Sequence, residues 1–411
     1  MPALVRRRAV LWPVFIAVHL VLAASCLKPG ITGNSFNDVT GFYRVWVDNA
    51  LHGGPWPVVS TPWVYPVVAL IPMLVPALGG DAGYGAVWLL EVSLLDAAAF
   101  GVLIAQNTAP RVRAAWYWLA ALLALGPVAL GRLDAVSVAL AVLGVVALAT
   151  RPWLAGILLA LGTWVKFWPA ALIAAAVVAA KGRWQVFAGA VATTAVVAAV
   201  ASWGLHARFL FSFIGQQSGR GLQIESPFAT PLMWAAWAHA HGERIYYDTG
   251  IYTFQVAGPG ASALAAAADW AMPLAVIAAA LLGLRAVLRK AEPRLTTALL
   301  GLALTVGFCA FDKVGSPQYH AWFAVPIMMG LMVSGRLFRM PALLVLASTV
   351  LTQLIYPWFY DGITGARPGM LLVLTARNAL ELVVFGWALV ALWQVAKGRG
   401  PQQSARKGRH S

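Results

Sequence analysis

A short polar segment after the first apolar stretch carries the residues best suited to chemistry. It contains Asp38 with Tyr43 and Arg44, in a chain that has 14 Asp and Glu residues against 29 Lys and Arg. A carboxylate in this setting can accept a proton from a substrate hydroxyl. The aromatic and proline residues from Trp56 to Pro66 add rings suited to stacking against a sugar. The segment therefore predicts a catalytic base beside an aromatic surface.

Further polar clusters interrupt the apolar stretches at distant points of the chain. Ionisable residues in or beside membrane spans are costly, so they indicate function. Lys166, Lys313 and His320 provide the positive charge and the hydrogen-bond donors that a phosphate needs at a membrane surface. With Asp38 as base, they fit glycosyl transfer from a lipid phosphate, in which the phosphate departs as the acceptor hydroxyl is deprotonated.

Each candidate also has a structural interpretation. Asp38 is a favoured N-cap residue for a helix that begins near Val39. Lys166 can extend from a helix end towards the membrane interface. The remaining alternatives are a buried structural histidine at His320, a surface pair of Arg220 with Glu225, and a local pair of Arg132 with Asp134.

Composition places the chain among membrane proteins. It is 61% hydrophobic and 10% charged, with a mean hydropathy of +0.77, whereas soluble domains carry roughly a quarter charged residues. The net charge of +15 comes from basic clusters at the ends of apolar runs, which is typical of membrane topology and not of nucleic-acid binding. Cys26 and Cys309 imply no disulfide framework. The acidic residues do not cluster as a metal site requires, so we expect neither a metal nor a cofactor.

The positive-inside tendency gives a topology. The basic start Arg6-Arg7-Arg8 predicts a cytoplasmic N terminus, which puts the Asp38 segment outside. Prolines 66, 72 and 76 predict a broken or kinked segment between Trp63 and Leu78, and a segment that returns keeps the later arginines inside. The pattern predicts an all-α polytopic membrane protein of about twelve transmembrane helices, with both termini inside and the active site formed by outer loops.

Residues 1–396 are predicted to form a single domain, with a long outer loop over about 204–260. The basic tail, 397–411, is predicted to be a disordered cytoplasmic segment. No internal repeat is evident, so the inverted repeats of many transporters are missing.

Several short motifs, in their order and spacing, resemble glycosyltransferase family 87. They are Phe36-Asn37-Asp38, Tyr65-Pro66, Val165-Lys166-Phe167-Trp168-Pro169, the stretch Arg220–Ser226, and Ser316-Pro317-Gln318-Tyr319-His320. Two departures concern the sugar more than the reaction: Val67 follows Pro66 where members often have a second proline, and Arg132-Leu133-Asp134 stands where many carry Gln and Asn.

This resemblance implies a GT-C fold and an inverting, metal-independent transfer from a polyprenyl-phosphate sugar on the outer face of the plasma membrane. By the resemblance, Asp38 is the general base, and His320 with Lys166 or Lys313 holds the donor phosphate, with Arg220 as a further candidate. The residues assigned to sugar or acceptor contacts are Tyr43, Arg44, Tyr65, Gln223, Glu225 and Gln318.

The family is similar to the actinobacterial mannosyltransferases that extend phosphatidylinositol mannosides and lipoglycans. The expected donor is therefore polyprenyl-phosphate mannose, with polyprenyl-phosphate arabinofuranose as the rival within the same fold. The expected partners are this donor, a lipid-anchored glycan acceptor and membrane lipids, with no nucleic acid. The rival from another class is a transporter or flippase for a lipid-linked sugar, which should place its polar groups near the membrane midplane between matched halves.

Overall fold

The computed structural model describes residues 8–28, 35–218, 220–240 and 242–398. These residues form helices and one small sheet, joined by short 3₁₀ and π turns. Arg6 and Arg7, residues 29–34, Gly219 and the tail from residue 399 lie outside the described residues. The cytoplasmic N terminus and the disordered tail therefore stay predictions.

Apolar helices account for most of the described chain. In chain order they are α1 (Arg8–Leu27), α2 (Arg44–Leu51), α3 (Leu70–Leu74), α4 (Gly80–Ile104), α5 (Ala109–Leu125), α6 (Asp134–Ala147), α7 (Pro152–Val165), α8 (Ala170–Ala179), α9 (Arg183–Ala199), α10 (Ser212–Ser218), α11 (Thr230–Trp237), α12 (Ala261–Leu288), α13 (Pro293–Ala310), α14 (Tyr319–Val333), α15 (Arg339–Gln353), α16 (Tyr360–Thr364) and α17 (Pro368–Ala396). The strands are β1 (Leu222–Gln223), β2 (Arg244–Asp248) and β3 (Thr253–Ala257).

Eight helical stretches among the described residues are long and apolar enough to cross a membrane. One of them, Val67–Ile104, combines α3 and its two flanking 3₁₀ turns with α4. The chain is therefore a multi-pass membrane protein, as the composition predicts. Four shorter apolar helices, α6, α7, α8 and α14, have 10–17 residues. The expected twelve crossings need shorter helices of this kind to cross as well, and the number stays a prediction.

Prolines break the apolar run before α4. A 3₁₀ turn at Val67–Ala69 leads into α3, which gives way to a second 3₁₀ turn at Val75–Gly79. Gly80 then has φ of 60°, a left-handed conformation in which a side chain is costly. The Tyr84 hydroxyl donates to the carbonyl oxygen of Met73 at 2.6 Å and ties the broken segment to α4. The predicted break is confirmed, while its return to the same side stays a prediction.

The long loop contains a small antiparallel sheet in the order β1–β3–β2, so the fold is mostly rather than entirely helical. Strands β2 and β3 are joined by a four-residue turn and carry β-branched and aromatic residues. Leu222 and Val256 on one face enter an apolar cluster with side chains of α11 and α17, such as Met233 and Leu374. This burial on one side explains why the polar-looking loop is ordered.

By its contacts, the chain forms two compact units. The first comprises residues 1–173 and 182–220, and the second comprises 174–181 and 221–411. In the first unit, α7 and α9 approach closely because both carry glycine at the contact: a Cβ atom at Gly156 would collide with the carbonyl oxygen of Val186, and one at Gly189 with that of Trp153. In the second, the side chain of Glu292 caps α13 by accepting from the backbone N–H groups of Arg294 and Leu295 at 3.0 and 2.6 Å.

Membrane sidedness can be tested with single cysteines at the two ends of α12. Cysteine at Ser262 should react with an impermeant thiol reagent added outside intact cells, because the loop before α12 is predicted to be external. Cysteine at Ala291, in the densest basic loop, should not react. The native Cys26 and Cys309 are buried, which keeps background labelling low. The reverse pattern would put the Asp38 segment in the cytoplasm and contradict the proposed topology.

Candidate active site

Asp38 forms an ion pair with an arginine from a distant part of the chain. It opens a π-helical turn, Asp38–Tyr43, and the preceding residue Asn37 makes no side-chain capping bond. The Asp38 carboxylate instead lies 3.2 Å from Nε of Arg132 and is 27% exposed. Arg132 also donates to the carbonyl oxygen of Ser35 at 2.7 Å. The acid is thus held in a fixed orientation and remains accessible, as a general base requires.

A glycine permits this approach of Arg132 to the Asp38 segment. A Cβ atom at Gly131 would lie 3.0 Å from the carbonyl oxygen of Pro127 and 3.2 Å from the ring of Phe36, so a larger residue would force the two segments apart. Trp88 in α4 fixes the same loop by donating to the carbonyl oxygen of Leu130 at 2.9 Å. The position of Arg132 therefore depends on close packing as well as on charge.

Lys166 pairs with Asp134 in the same unit. The Lys166 ammonium lies 3.6 Å from Asp134 Oδ2 and 4.6 Å from the ring centroid of Tyr65. Burial lowers the pKa of Lys166, but the negative charges of Asp134 and Asp38 and the nearby Tyr65 outweigh it, and the net pKa lies above its usual value. Lys166 is therefore a permanent cation. Two longer-range pairs therefore hold this cluster, Asp38 with Arg132 and Asp134 with Lys166.

Aromatic residues line this first cluster. The ring of Tyr65 contacts those of Trp63 and Tyr43, with centroids 5.3 and 6.2 Å apart. Tyr43 is buried, and its hydroxyl accepts from the backbone N–H of Leu133 at 3.3 Å, so it supports the cluster from within. Burial raises the pKa of Tyr43 well above its ordinary value, so the hydroxyl stays neutral. Tyr65, half-buried, is the better placed of the two to touch a sugar.

Two further basic residues of the first unit have different surroundings. Arg44 Nη1 lies 3.1 Å from Asp81, an exposed acid in α4, and Arg44 Nε donates to the carbonyl oxygen of Thr40 at 2.9 Å. Arg220 is half-buried, and its Nε has no hydrogen-bond partner among the described residues. Arg220 thus remains available to an anion, whereas Arg44 is already paired.

In the second unit, Lys313 pairs with an acid of α12. The Lys313 ammonium lies 2.9 Å from Oδ1 and 3.2 Å from Oδ2 of Asp269. The lysine side chain is buried, whereas the Asp269 side chain is 54% exposed. The ammonium is therefore fixed within the protein, with its counter-ion on the accessible side. Asp269 was not predicted as a partner, although an acid inside an apolar stretch is an unusual feature.

His320 lies in a buried polar network. Its ring contacts the hydroxyl of Thr352 at 3.2 Å and lies 3.4 Å from Oε1 of Glu381. Arg377 Nε lies 3.2 Å from the same carboxylate oxygen. His320 is thus enclosed by α14, α15 and α17, which favours a positioning role over direct exposure to a ligand.

Arg377 joins the two segments that carry the other predicted residues of this unit. It donates to the carbonyl oxygens of Glu225 and Gly315, both at 2.9 Å. Gln223 Nε2 donates to Glu225 Oε2 at 2.6 Å. Gln318 directly precedes α14 and is half-buried. Arg377, Asn378 and Glu381 were missed by sequence reasoning, although three polar residues on one side of an apolar helix are a recognisable signal.

The two clusters supply complementary chemistry. The first unit holds a partly exposed carboxylate, two cations and aromatic rings, and the second holds a lysine, a histidine and hydrogen-bonding amides. A base suits the activation of a hydroxyl, and fixed cations suit the stabilisation of a leaving phosphate.

Comparison with known proteins identifies the family. No curated protein and no solved structure matches the chain. The family model described as Glycosyltransferase family 87 matches residues 63–311, which include Tyr65, Lys166, Arg220, Gln223 and Glu225, while Asp38, Lys313, Gln318 and His320 lie outside the match. Since the match covers well over half of the 411 residues, the chain belongs to glycosyltransferase family 87.

Proposed function

We propose that the protein transfers a mannosyl residue from polyprenyl-phosphate mannose to a lipid-anchored glycan on the extracytoplasmic face of the plasma membrane. The observation that carries this proposal is the partly exposed carboxylate of Asp38, oriented by Arg132 and lying in the same unit as the cation Lys166. Membership of a glycosyltransferase family supplies the reaction class. Both substrates are lipid-linked, which suits a protein with many apolar helices.

The reaction is a single displacement at the anomeric carbon. Asp38 accepts the proton of an acceptor hydroxyl while the oxygen of that hydroxyl forms a bond to the anomeric carbon. The bond from this carbon to the phosphate oxygen breaks, and polyprenyl phosphate departs with the electron pair. One displacement inverts the configuration of the anomeric carbon. Lys313 is the cation assigned to the phosphate in the second unit, and the buried His320 positions groups near it. Lys166 and Arg220 in the first unit are the alternative phosphate-binding cations.

The test is transfer by the purified protein in lipid nanodiscs. Polyprenyl-phosphate mannose and polyprenyl-phosphate arabinofuranose are supplied separately with a short synthetic lipid-linked mannoside as acceptor, and the new linkage is read by mass spectrometry and NMR. We expect mannose transfer with inversion. Arabinofuranose transfer would assign the rival donor. Passage of the intact donor across proteoliposome membranes, without transfer to acceptor, would identify a flippase and overturn the proposal.

Donor kinetics test the roles assigned to Lys313 and His320 in the second unit. Lys313→Ala should weaken donor use by about 1.5–3 kcal/mol, because it removes a charge-assisted contact to the phosphate. His320→Ala should have an effect of the same order, since the ring positions groups around that contact. The measurement is a steady-state series in polyprenyl-phosphate mannose at fixed acceptor. Lys181→Ala, at an exposed lysine between α8 and α9, is the matched control. Unchanged donor kinetics in both variants would move the phosphate to Lys166 and Arg220.

A further inference from the structure

A row of polar side chains crosses the small sheet. Gln223 in β1 pairs with Gln255 in β3, and Gln255 pairs with Tyr246 in β2. Residues directly opposite each other on antiparallel strands present their side chains on the same face. Gln223, Gln255 and Tyr246 therefore form one row, called the amide row below.

The amide row lies on the face of the sheet opposite to the one that packs in the apolar cluster. The adjacent row along the strands is Leu222, Val256 and Ile245, and all three pack in the apolar cluster of the second unit. Because side chains alternate along a strand, the amide row points away from that cluster. Its polar groups need partners of another kind.

The carbonyl oxygens of the two amides are oriented as unpaired acceptors. Gln223 Nε2 donates to Glu225 Oε2 at 2.6 Å, and Gln255 Nε2 donates to Thr253 Oγ1 at 2.7 Å. A carboxylate only accepts hydrogen bonds, so the first contact fixes the orientation of the Gln223 amide. Within the described part of the chain, neither Oε1 has a hydrogen-bond partner, although the residues are only 4% and 2% exposed. Buried acceptors in native proteins nearly always have a donor.

A glycine leaves room beside these acceptors. A Cβ atom at Gly221 would lie 3.1 Å from Gln255 Oε1 and 4.0 Å from the hydroxyl oxygen of Tyr246. Gly221 itself is exposed, and Tyr246 at the end of the row is 37% exposed. Gln255 Oε1 therefore lies just beneath an exposed position that carries no side chain.

The amide row is also connected to the lysine assigned above to the donor phosphate. The backbone N–H of Gln223 donates to the carbonyl oxygen of Lys313 at 3.0 Å. In a polyprenyl-phosphate sugar, the sugar is bonded directly to the phosphate. The strand that begins the row is thus bonded to the backbone of Lys313, within one lysine side chain of the phosphate assigned to that residue.

We propose that the amide row binds the sugar of the donor, with two neighbouring hydroxyls donating to Oε1 of Gln223 and Oε1 of Gln255. This assignment rests on the proposed function, which supplies the donor phosphate at Lys313. Two acceptors on directly paired residues suit two neighbouring donors. The vicinal diol of a sugar supplies such donors and an isoprenoid chain does not. A buried polar pair of this kind rejects a sugar that lacks a matching hydroxyl, so the row is a determinant of donor specificity.

Two short-chain analogues of the donor separate the contribution of the sugar to binding affinity from that of the phosphate. They are farnesyl phosphate and farnesyl phosphate mannose, whose binding to the full-length protein in nanodiscs is measured at equilibrium. Gln255→Leu removes one acceptor, and Gly221→Val fills the space beside it. We expect each variant to bind the mannosylated probe about tenfold more weakly, the loss of roughly one buried hydrogen bond, with farnesyl phosphate binding unchanged.

Two control variants and two further outcomes complete the test. Tyr247→Phe changes the neighbouring tyrosine on the opposite face of the sheet, and Gly369→Val adds a side chain where a Cβ atom meets nothing within 4 Å. Both should bind like the wild type. Gly221 is exposed, so Gly221→Val should fold. If this variant prefers the mannosylated probe over farnesyl phosphate as strongly as the wild type does, the proposal is overturned. This holds whether or not Gln255→Leu folds. A wild type that binds both probes equally also overturns the proposal. A preserved sugar preference without any transfer activity would overturn the enzyme assignment and leave the sugar site in place.

Discussion

Asp38→Asn should abolish sugar transfer while leaving donor binding intact. An amide has the shape of the carboxylate and still accepts from Arg132 Nε, which lies 3.2 Å from Asp38 in the wild type. It cannot take the proton of the acceptor hydroxyl, so kcat should fall by about 10²–10⁴-fold, the usual contribution of a general base. Single-turnover assays with polyprenyl-phosphate mannose measure the chemical step, and farnesyl phosphate binding confirms that the donor site persists.

The matched control for this variant is Asp48→Asn. Asp48 in α2 also has a basic neighbour, with His52 Nδ1 at 3.0 Å from Oδ1, but both side chains are exposed. Its loss removes one negative charge and a weak surface pair, so turnover should stay within about twofold of the wild type. Near-normal turnover by Asp38→Asn would instead reduce that residue to the anchor of Arg132, and the base would have to be sought elsewhere.

The sequence is informative about Asp38 because local features surround it. It is an acid in a polar segment directly after an apolar helix, and this is visible without a structure. Its partner Arg132 cannot be identified from the sequence, because packing at Gly131 brings the two residues together. Pairing across the fold depends on side-chain direction, which spacing in a loop does not specify.

The broken segment before α4 was predicted for a physical reason, because proline removes a helix hydrogen bond wherever it lies. The small sheet was not predicted, since β1 has only two residues and β2 has exposed and half-buried residues without clear alternation. Such strands are stabilised by neighbours remote in sequence rather than by their own pattern. The buried network of α17 is not predicted by polar residues at the ends of apolar stretches, because Arg377 and Glu381 lie within such a stretch.

Arg377→Met should produce the largest loss of stability among single changes in the second unit. Arg377 is fully enclosed, and its guanidinium contacts Glu381, Thr352, Asn378 and the carbonyl oxygens of Glu225 and Gly315. Methionine fills a similar volume but leaves Glu381 as a buried charge without its arginine. Breaking a buried pair from one side costs about 3–5 kcal/mol. The measurement is the thermal unfolding midpoint in detergent, with Arg367→Met, an exposed arginine just before α17, as the control.

A double variant separates two effects of Arg377, its contribution to the stability of the fold and its positioning of donor-binding residues. Arg377→Met with Glu381→Leu removes both buried charges, and such replacements often restore stability because the desolvation cost of the pair disappears as well. The double variant still lacks the donors to Glu225 and Gly315, whose segments carry Gln223 and Lys313. We therefore expect recovery of the unfolding midpoint but a donor KM that stays raised by about tenfold or more, the effect of two lost hydrogen bonds. Recovery of both quantities together would show that Arg377 stabilises the helices alone, and that the two segments hold their positions without it.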